Sequence, residues 1–480
     1  MYETGKIMEK IYRFINTNVP SVGCNLRCEY CYIKQHGDEE NVLKIDTEKK
    51  LFKYPVDYMI KALSIERMGG VCMFHITGEG ETMLCPGFIE IVRGLLESGH
   101  YIGITSNCTI SSVVDELIEL MPHERERIYI KSSFHYVALK QKGLLEVYAD
   151  NVNKLKKAKI AITVEVVSSD YLLNDINDIQ EYSVTKFGAL PHVLLARDES
   201  ENGKYDMMKT RLIDEEFYKV WTGFNSDLFE FQYEDYGKSL FDMFCYAGDY
   251  TGSFDLATGD FFSCTGSYKI TNFFENIEEP VHFFPMGCSC EFPCCFLGFF
   301  KQVLAGVGRD EYEQKYTFDS FRDRQCSDGS TWLNPTIREL FSHRCSEWHN
   351  DLSDSQKEYI TCLRKQILSK TDISCEQSHL KTIIADKLRT SGISDIAIYG
   401  DGKLGSWLKN MLAGSSIKIK YVVDRKYTDA DGIYCSSVKN LNDVDAIIVT
   451  PFADYTTIAP EIRRDNPSLR IIAIQNLMNI

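Results

Sequence analysis

Strand-like and helix-like segments alternate through the first two hundred residues, and this alternation restricts the fold more than any other feature of the chain. Six segments have the apolar, β-branched composition of buried strands. They span residues 12–19, 71–77, 101–106, 127–133, 160–167 and 191–196. Amphipathic helical patterns separate them, at residues 51–68, 87–98, 112–121, 144–158 and near 172–187. Repeated strand–helix units build parallel sheets, so the pattern predicts an α/β fold with a partial (β/α)6 barrel.

Three cysteines follow the first predicted strand, in the stretch CNLRCEYCY. Cys24, Cys28 and Cys31 have the spacing C-x3-C-x2-C. Functional groups of βα barrels lie on the loops after the strands, which favours a metal centre here. Three thiolates would hold an iron–sulfur cubane and leave one iron open to another ligand. A zinc site that borrows His36 and a chance cluster of buried thiols are the alternatives.

Composition excludes several classes of protein. The formal net charge of −16 argues against a broad phosphate-binding surface, so we expect no nucleic-acid partner. The charged N-terminus has no apolar signal segment, and the apolar runs are too short to span a bilayer. These features predict a cytoplasmic protein without a membrane partner. Thiols stay reduced there, so the seventeen cysteines are better interpreted as metal ligands and buried thiols than as disulfides.

The cysteine loop resembles a known superfamily. With Tyr30 directly before Cys31, the pattern C-x3-C-x-aromatic-C resembles the hallmark of radical SAM enzymes, and the resemblance covers roughly residues 10–200. It implies a [4Fe–4S] cluster whose open iron chelates S-adenosylmethionine. In that family, one electron from the cluster cleaves the cofactor, and the resulting 5′-deoxyadenosyl radical abstracts a substrate hydrogen. It also implies that Tyr30 belongs to the cofactor site.

The same resemblance assigns cofactor-binding residues on three further loops. The stretch TGEGETML after the second strand is similar to the family's glycine-rich motif, which places Gly78, Gly80 and Glu81 at the methionine amino group. A cationic amine needs such acceptors. Asn107 after the third strand and Ser133 at the end of the fourth are implied contacts of the cofactor.

A second group of cysteines lies where the composition changes, between residues 236 and 300. Cys245, Gly259 and Cys264 give C-x13-G-x4-C, which resembles the opening of the SPASM and Twitch domains of radical SAM enzymes. The spacing of the later cysteines, C-x-C-x3-C-C, departs from the SPASM pattern. We expect one auxiliary [4Fe–4S] cluster, with a zinc site as the alternative. Its ligands would be Cys245, Cys264 and two of Cys288, Cys290, Cys294 and Cys295.

The last ninety residues form another predicted α/β unit. Gly400, Gly402 and Gly405 give G-x-G-x-x-G between a strand and a helix, and Asp424 ends the next strand about twenty residues later. The unit resembles small Rossmann-like modules of sugar-modifying and capsule-biosynthesis proteins. We expect it to bind a nucleotide or a nucleotide-linked sugar, or to serve a structural role.

The chain is therefore expected to have four parts. They are a radical SAM core (1–235), a small, loop-rich auxiliary cluster domain that resembles SPASM/Twitch and does not extend the barrel (236–300), a helical connector (301–390) and a Rossmann-like domain (391–480).

The predicted function is hydrogen abstraction from a nucleotide-linked sugar or a related cell-surface precursor, with a flavodoxin or ferredoxin as electron donor. His135 and Arg197 lie at the predicted barrel mouth, where Arg197 would meet an anionic substrate or pair with a neighbouring carboxylate. A peptide substrate is the alternative within the same chemistry. A non-enzymatic zinc-binding interaction protein is the alternative from another class.

Overall fold

The computed structural model of the chain contains a nine-stranded sheet, a five-stranded sheet and a two-stranded ribbon. The described residues are 11–20, 22–36, 44–46, 51–200, 206–207, 210–241, 243–264, 269–288, 290, 315–343, 352–354, 356–358, 360–361, 378–427, 433–451 and 455–477. The strands of the large sheet and the ribbon are β1 Arg13–Val19, β2 Cys72–Gly78, β3 Tyr101–Ser106, β4 Ile128–Ser133, β5 Ala161–Ser168, β6 His192–Leu195, β7 Arg197–Asp198, β8 Asp206–Met207, β9 Thr251–Asp255, β10 Asp260–Phe262 and β11 Lys269–Asn272.

Strands β1 to β6 are parallel and neighbour one another in chain order. They coincide closely with the six predicted segments, so the α/β fold class is confirmed. Val19, the last residue of β1, pairs with Gly78, the last residue of β2. This register brings the cysteine loop beside the glycine-rich loop, because the carboxyl ends of parallel strands meet at one edge of the sheet.

The helices between the strands of the barrel cover the outer face of the large sheet, and the last three described helices pack on the second sheet. Their bounds are α1 Val56–Ala62, α2 Ile65–Met68, α3 Phe88–Glu97, α4 Ser111–Ile118, α5 Pro122–Arg125, α6 Tyr136–Gln141, α7 Leu145–Lys157, α8 Ile176–Phe187, α9 Asp214–Thr222, α10 Asp227–Asp235, α11 Pro335–Ser342, α12 Ser378–Thr390, α13 Lys403–Leu412 and α14 Tyr455–Asp465. Short 3-10 helices span Tyr32–His36, Thr82–Leu84, Asp170–Asp175 and Ile474–Leu477. The single helix predicted over 51–68 is two helices, because Ser64 caps a new one through the N–H of Arg67.

The cysteine-rich segment extends the sheet of the barrel, whereas its composition predicts a module that does not extend it. Strand β9 pairs with β1 in parallel, and β10 and β11 continue the same sheet in antiparallel pairing. Without β9, strand β1 would be an edge strand with unpaired backbone groups. Aromatic side chains of this segment, such as Phe254, Phe261 and Phe273, are buried in the barrel's hydrophobic core. The limits of the auxiliary domain, 236–300, stay a prediction.

Residues 315–343 also belong to the core assembly rather than to a simple connector. The backbone carbonyl of the buried Trp332 accepts a hydrogen bond from the N–H of Ile162, which lies at the start of β5. Asn334 caps α11 and donates to the carbonyls of Glu126 and Lys159, which precede β4 and β5. The segment therefore closes the amino-terminal end of the barrel, opposite the cysteine loop.

The second sheet is parallel and has the strand order β14, β13, β12, β15, β16. Its strands are β12 Asp395–Tyr399, β13 Lys418–Val423, β14 Tyr434–Cys435, β15 Ala446–Val449 and β16 Ile471–Ala473. The three predicted strands after β12 correspond to β13, β15 and β16, and β14 was not predicted. Apolar side chains of α12, α13 and α14 bury its faces. Among the helices that the structure describes, none has the length and apolar character that a bilayer crossing requires.

We expect Arg67 to hold the sheet extension onto the barrel. Its guanidinium donates to the carbonyls of Phe273 and Glu279 at 2.7 Å, while Lys61 joins α1 to Glu278 at 3.3 Å in an exposed pair. Arg67→Met would leave buried carbonyls without donors, at a cost of about 1–3 kcal/mol each. Proteolysis within residues 269–288 should therefore be at least about tenfold faster. Lys61→Met is the matched control, and equal rates in the two variants would contradict this role.

We also expect acid to destabilise the fold through His100. Its ring is buried, accepts from the N–H of Cys72 at Nδ1 and donates to the Leu63 carbonyl from Nε2. Burial lowers the pKa of His100 from 6.5 to about 4, so below pH 6.5 the unfolded chain binds a proton that the native chain does not. Stability should therefore fall as the pH drops from 6.5 towards 4, by about 3 kcal/mol from this group.

Urea unfolding between pH 7.5 and pH 4.5 tests the His100 prediction. His100→Gln keeps an acceptor and a donor but does not titrate, so its stability should depend less on pH than that of the unmodified chain. His123→Gln, at an exposed position of α5, is the matched control. An identical pH dependence in all three proteins would show that His100 is not the titrating group.

Candidate active site

A cavity of about 870 Å³ opens at the carboxyl ends of the barrel strands. The sequence-predicted cofactor residues meet there, although they come from four different loops. These residues are Cys24, Cys28, Tyr30, Cys31, Gly78, Gly80, Glu81, Asn107 and Ser133. His135 and Arg197, predicted at the barrel mouth, line the same cavity. The structure therefore gathers the whole predicted core site in one place.

The three thiols of the first loop influence one another electrostatically. Burial, together with the neighbouring carboxylate of Glu81, raises the pKa of Cys24 to about 12. Burial and the sulfurs of Cys24 and Cys31 raise the pKa of Cys28 above its usual range. Thiols in this environment are protonated unless a metal takes the place of the proton.

No ligand set is fixed by the geometry of the described residues. Among them, no three His, Cys, Asp or Glu side chains form a group arranged to hold a metal ion. The cluster ligands Cys24, Cys28 and Cys31 therefore stay a prediction. The side chain of His36, the alternative fourth zinc ligand, lies outside the described part of the chain.

Glu81 connects the loops after β1, β2 and β3. Its carboxylate accepts hydrogen bonds from the Ser106 hydroxyl at 2.6 Å and from the Asn107 N–H at 2.8 Å. It also caps the next turn by accepting from the N–H of Met83, and its own N–H donates to the carbonyl of Gly23. The side chain is buried, and burial raises its pKa. Glu81 thus positions the neighbouring loops. The family resemblance places Glu81 at the cofactor and does not indicate this positioning role.

Asn107 and Tyr30 provide two more links to the cysteine loop. The Asn107 amide donates to the side-chain oxygen of Asn25 at 2.8 Å, and Asn25 donates to Thr109. The Tyr30 hydroxyl is 3.0 Å from Nδ1 of His135 in a hydrogen bond. Burial lowers the pKa of His135 to about 4, so the ring is neutral near pH 7. These bonds tie the cysteine loop to the loops after β3 and β4.

A buried charge cluster that the sequence did not reveal lies on the cavity wall. Lys131 of β4 and Arg322, from the segment that closes the barrel, both contact the carboxylate of Glu165. Lys131 lies 3.1 Å from that carboxylate and, like Arg322, lines the cavity. The charged residues within the otherwise apolar strands β4 and β5 are the sequence feature that could have indicated this cluster. Nothing in the sequence near residue 322 indicated a partner for these strands.

Arg197 forms the rim ion pair that was one of its two predicted roles. Its guanidinium lies 2.8 Å from the carboxylate of Glu199 and 3.9 Å from the centre of the Tyr32 ring. The N–H of Glu199 in turn donates to Gln35, which continues the cysteine loop. The rim is thereby attached to the three-cysteine loop.

A comparison with protein families identifies the domain that carries this site. Residues 18–181 match the family model of the radical SAM superfamily. The core of this chain is a radical SAM domain. Radical SAM domains belong to a superfamily of enzymes, and the core fold expected from the sequence is confirmed.

Individual relatives resemble smaller parts of the chain. A 99-residue stretch is 33% identical to the tungsten-containing aldehyde ferredoxin oxidoreductase cofactor-modifying protein of Pyrococcus furiosus (strain ATCC 43587 / DSM 3638 / JCM 8422 / Vc1), and it covers 20% of this chain and 25% of that protein. The chain thus matches about a quarter of the length of this curated relative.

Two solved structures are similar at low identity. Streptococcus suis SuiB bound to S-adenosylmethionine is 15% identical, with a TM-score of 0.38 over 56% of this chain and 64% of that one. Native anSMEcpe with bound AdoMet is 17% identical, with a TM-score of 0.37 over 54% of this chain and 78% of that one.

The second cysteine group lies next to the radical SAM domain, on the segment that extends its sheet. The backbone N–H and the carbonyl of Cys245 each form a hydrogen bond with the backbone of Gly287. Cys245 and Cys288 therefore lie on adjacent segments of the chain. Gly248 packs against Ser263, the residue before Cys264. These contacts bring three of the predicted ligand segments side by side. Cys290 is described without such a contact, and Cys294 and Cys295 lie outside the described residues, so the auxiliary ligand set stays a prediction.

Cys326, a later cysteine of the chain, lies in the barrel core rather than with this group. Its sulfur lies against the Phe187 carbonyl, 3.4 Å away, in the barrel core. Lys156 contacts the same sulfur. Cys326 is therefore a buried core thiol.

The glycine motif of the second sheet has the expected strand–turn–helix setting, between β12 and α13. Gly400 has a positive φ of 90°, and a side chain on Gly405 would collide with the Gly400 carbonyl. Gly402 faces open space. Both oxygens of Asp424 accept backbone N–H groups, from Asp401 at 2.7 Å and from Lys426 at 3.1 Å. The Rossmann-like assignment and its ligand stay predictions.

We expect Glu81→Gln to loosen the loops of the radical SAM domain. The amide would place its NH2 group against the Ser106 hydroxyl or the Asn107 N–H, at a cost of about 1–3 kcal/mol. Hydrogen exchange of peptides that contain Asn107 should then be about tenfold faster or more. Glu116→Gln, at an exposed position of α4, is the control. Unchanged exchange in the Glu81 variant would show that the carboxylate does not hold these loops.

Proposed function

We propose that the chain binds S-adenosylmethionine at the three-cysteine loop and uses it to abstract a hydrogen atom from a substrate. The observation that carries this proposal is the convergence of Cys24, Cys28 and Cys31 with the glycine-rich loop on one cavity. The match of residues 18–181 to the radical SAM family supports it independently.

The chemistry of the donor set suits a [4Fe–4S] cluster with one open iron. Three thiols on one loop provide three of the four ligands that such a cluster uses, and the cavity beside them has room for the cofactor. Gly78, Gly80 and Asn107 would hold the cofactor where they line the cavity. When bound, the cluster and S-adenosylmethionine supply a 5′-deoxyadenosyl radical that takes a hydrogen atom from the substrate.

The chain's own residues position and shield this chemistry. Glu81 joins the three loops around the site, so the thiols and the glycine-rich loop keep a constant separation. The hydrogen bond between Tyr30 and His135 holds the loop after β4 against the cysteine loop. Arg197 and Glu199 border the opening, which limits access of water to the cavity.

The proposed substrate is a small molecule, and a nucleotide-linked sugar or a related cell-surface precursor is our first candidate. A second parallel sheet with a glycine-rich turn supports the nucleotide part of this proposal. The partial relative from Pyrococcus furiosus is named as a cofactor-modifying protein, which is compatible with a small substrate. A peptide substrate remains the alternative.

A further cluster and an electron donor complete the proposal. Cys245, Cys264 and Cys288 lie on neighbouring segments beside the barrel and would provide ligands for an auxiliary [4Fe–4S] cluster. It would relay an electron to or from the substrate. A flavodoxin or ferredoxin would reduce the first cluster, in a cytoplasmic setting.

Anaerobic purification and reconstitution test the proposed function. The chain should hold about eight iron atoms, four for each cluster, and dithionite should convert S-adenosylmethionine to 5′-deoxyadenosine. The triple change of Cys24, Cys28 and Cys31 to Ala should remove about half of the iron and all of the cleavage.

One control variant and one refuting outcome make the result specific. Cys72→Ala removes a buried thiol of β2 outside the cavity and should leave both the iron content and the cleavage unchanged. A colourless protein that binds zinc would refute the proposal in favour of a metal-binding interaction protein. With cleavage established, deuterium transfer from labelled nucleotide-sugars or from peptides into 5′-deoxyadenosine would discriminate between the two substrate classes.

A further inference from the structure

A cluster of positively charged side chains lies on one part of the cavity wall. Lys131, Arg197 and Arg322 line the cavity, and two carboxylates pair with them. Glu165 contacts both Lys131 and Arg322, while Glu199 pairs with Arg197. Among the described residues, the ion pairs of this cluster join three cations to two carboxylates, which leaves the cluster with one positive charge in excess.

This charge lies in a poorly solvated place. The side chains of Glu165 and Arg322 are each 1% exposed, and that of Lys131 is 18% exposed. The charged groups that act most strongly on Lys131 are Glu165, Arg322 and Arg197, one anion and two cations. Burial lowers the pKa of Lys131, which shows that the single carboxylate does not fully offset the loss of water. An excess buried charge is costly unless an anion accompanies it.

Four further carboxylates line the cavity, at Glu79, Glu81, Asp206 and Asp255, and none of them is among the charged groups that act most strongly on Lys131. Glu81 accepts three hydrogen bonds from neighbouring loops, and Asp255 accepts from the N–H of Ala257. The carboxylate of Asp206 accepts from the Tyr236 hydroxyl. Lys131 has three N–H donors, and the structure shows one carboxylate, Glu165, within ion-pair distance of it among the described residues. Donors of Lys131 are thus available to a molecule in the cavity.

We infer that the substrate carries an anionic group, a phosphate or a carboxylate, which binds Lys131 inside the cavity. This inference rests on the proposed function and names the chemistry of its substrate. Lys131 precedes Ser133 by two residues on β4, so both side chains lie on the same face of the strand. The anion would therefore lie further from the carboxyl end of β4 than Ser133, the predicted cofactor contact. The rest of the substrate would extend towards the three-cysteine loop.

Isothermal titration of the reconstituted holoenzyme, saturated with S-adenosylmethionine, tests this inference. The probes are inorganic phosphate, inorganic pyrophosphate and glutarate, with glycerol as the uncharged probe. At least one of the anions should bind, and glycerol should not. Phosphate or pyrophosphate without glutarate would assign a phosphorylated substrate, and glutarate alone would assign a carboxylate. Absence of binding by all three anions would overturn the inference.

Variants locate the binding site. Lys131→Met should weaken anion binding by about 10- to 100-fold, because a hydrogen bond to a charged group is lost. Lys131→Arg should keep most of the affinity. Glu165→Gln should strengthen binding, because it removes a competing carboxylate, and a purely structural ion pair would not have this effect. Lys154→Met is the matched control, since Lys154 forms an exposed pair with Asp115 on the outer helices.

The outcomes separate this inference from the proposed function. If the unmodified chain cleaves S-adenosylmethionine, but the Lys131→Met variant binds the anions as tightly as the unmodified chain, only the anion site is wrong. If Lys131→Met weakens binding of S-adenosylmethionine alone, Lys131 serves the cofactor and the inference fails. If Lys131→Met does not fold, Lys131→Arg and Glu165→Gln still decide the matter, because they predict small and opposite changes.

Discussion

The carboxylate of Glu81 holds together the loops on which the active site depends. It is buried, and it connects the loop after β2 with Ser106 and Asn107 after β3, while its backbone N–H reaches Gly23 beside the cysteine loop. Loops after parallel strands have no hydrogen bonds of their own to fix their spacing. A buried carboxylate that accepts several N–H and O–H groups provides that spacing, since each charge-assisted bond is stronger than a neutral one.

The barrel around this site is completed by distant parts of the chain. Strand β9 covers the edge of β1 and contributes Ser253 and Asp255 to the cavity wall. The segment 315–343 closes the opposite end and places Arg322 inside. The cavity is consequently a joint product of three sequence regions. This explains how a charge cluster can form between residues that are 157 positions apart, such as Arg322 and Glu165.

Much of the core could be predicted from local sequence. The six strands, the cysteine loop and the glycine-rich loop follow from periodicity and short motifs, which depend on neighbouring residues. The association of the cysteine-rich segment with β1 could not be predicted, because its aromatic residues give no information about which strand they will cover. Lys131 and Glu165 were visible as charges in apolar strands, but their shared partner was not. Arg197 had a predictable partner, because Glu199 is close in sequence.

By itself, the sequence determined the parallel βα order of the core and the presence of three thiols at the end of the first strand. These properties depend on side-chain periodicity and on spacing along the chain, so they need no knowledge of distant contacts. The tertiary structure decided that β9 closes the sheet, that Glu81 joins the loops and that Lys131 and Arg322 share one carboxylate. Each of these depends on which distant backbone and charged groups are buried together, because burial removes water as the competing partner.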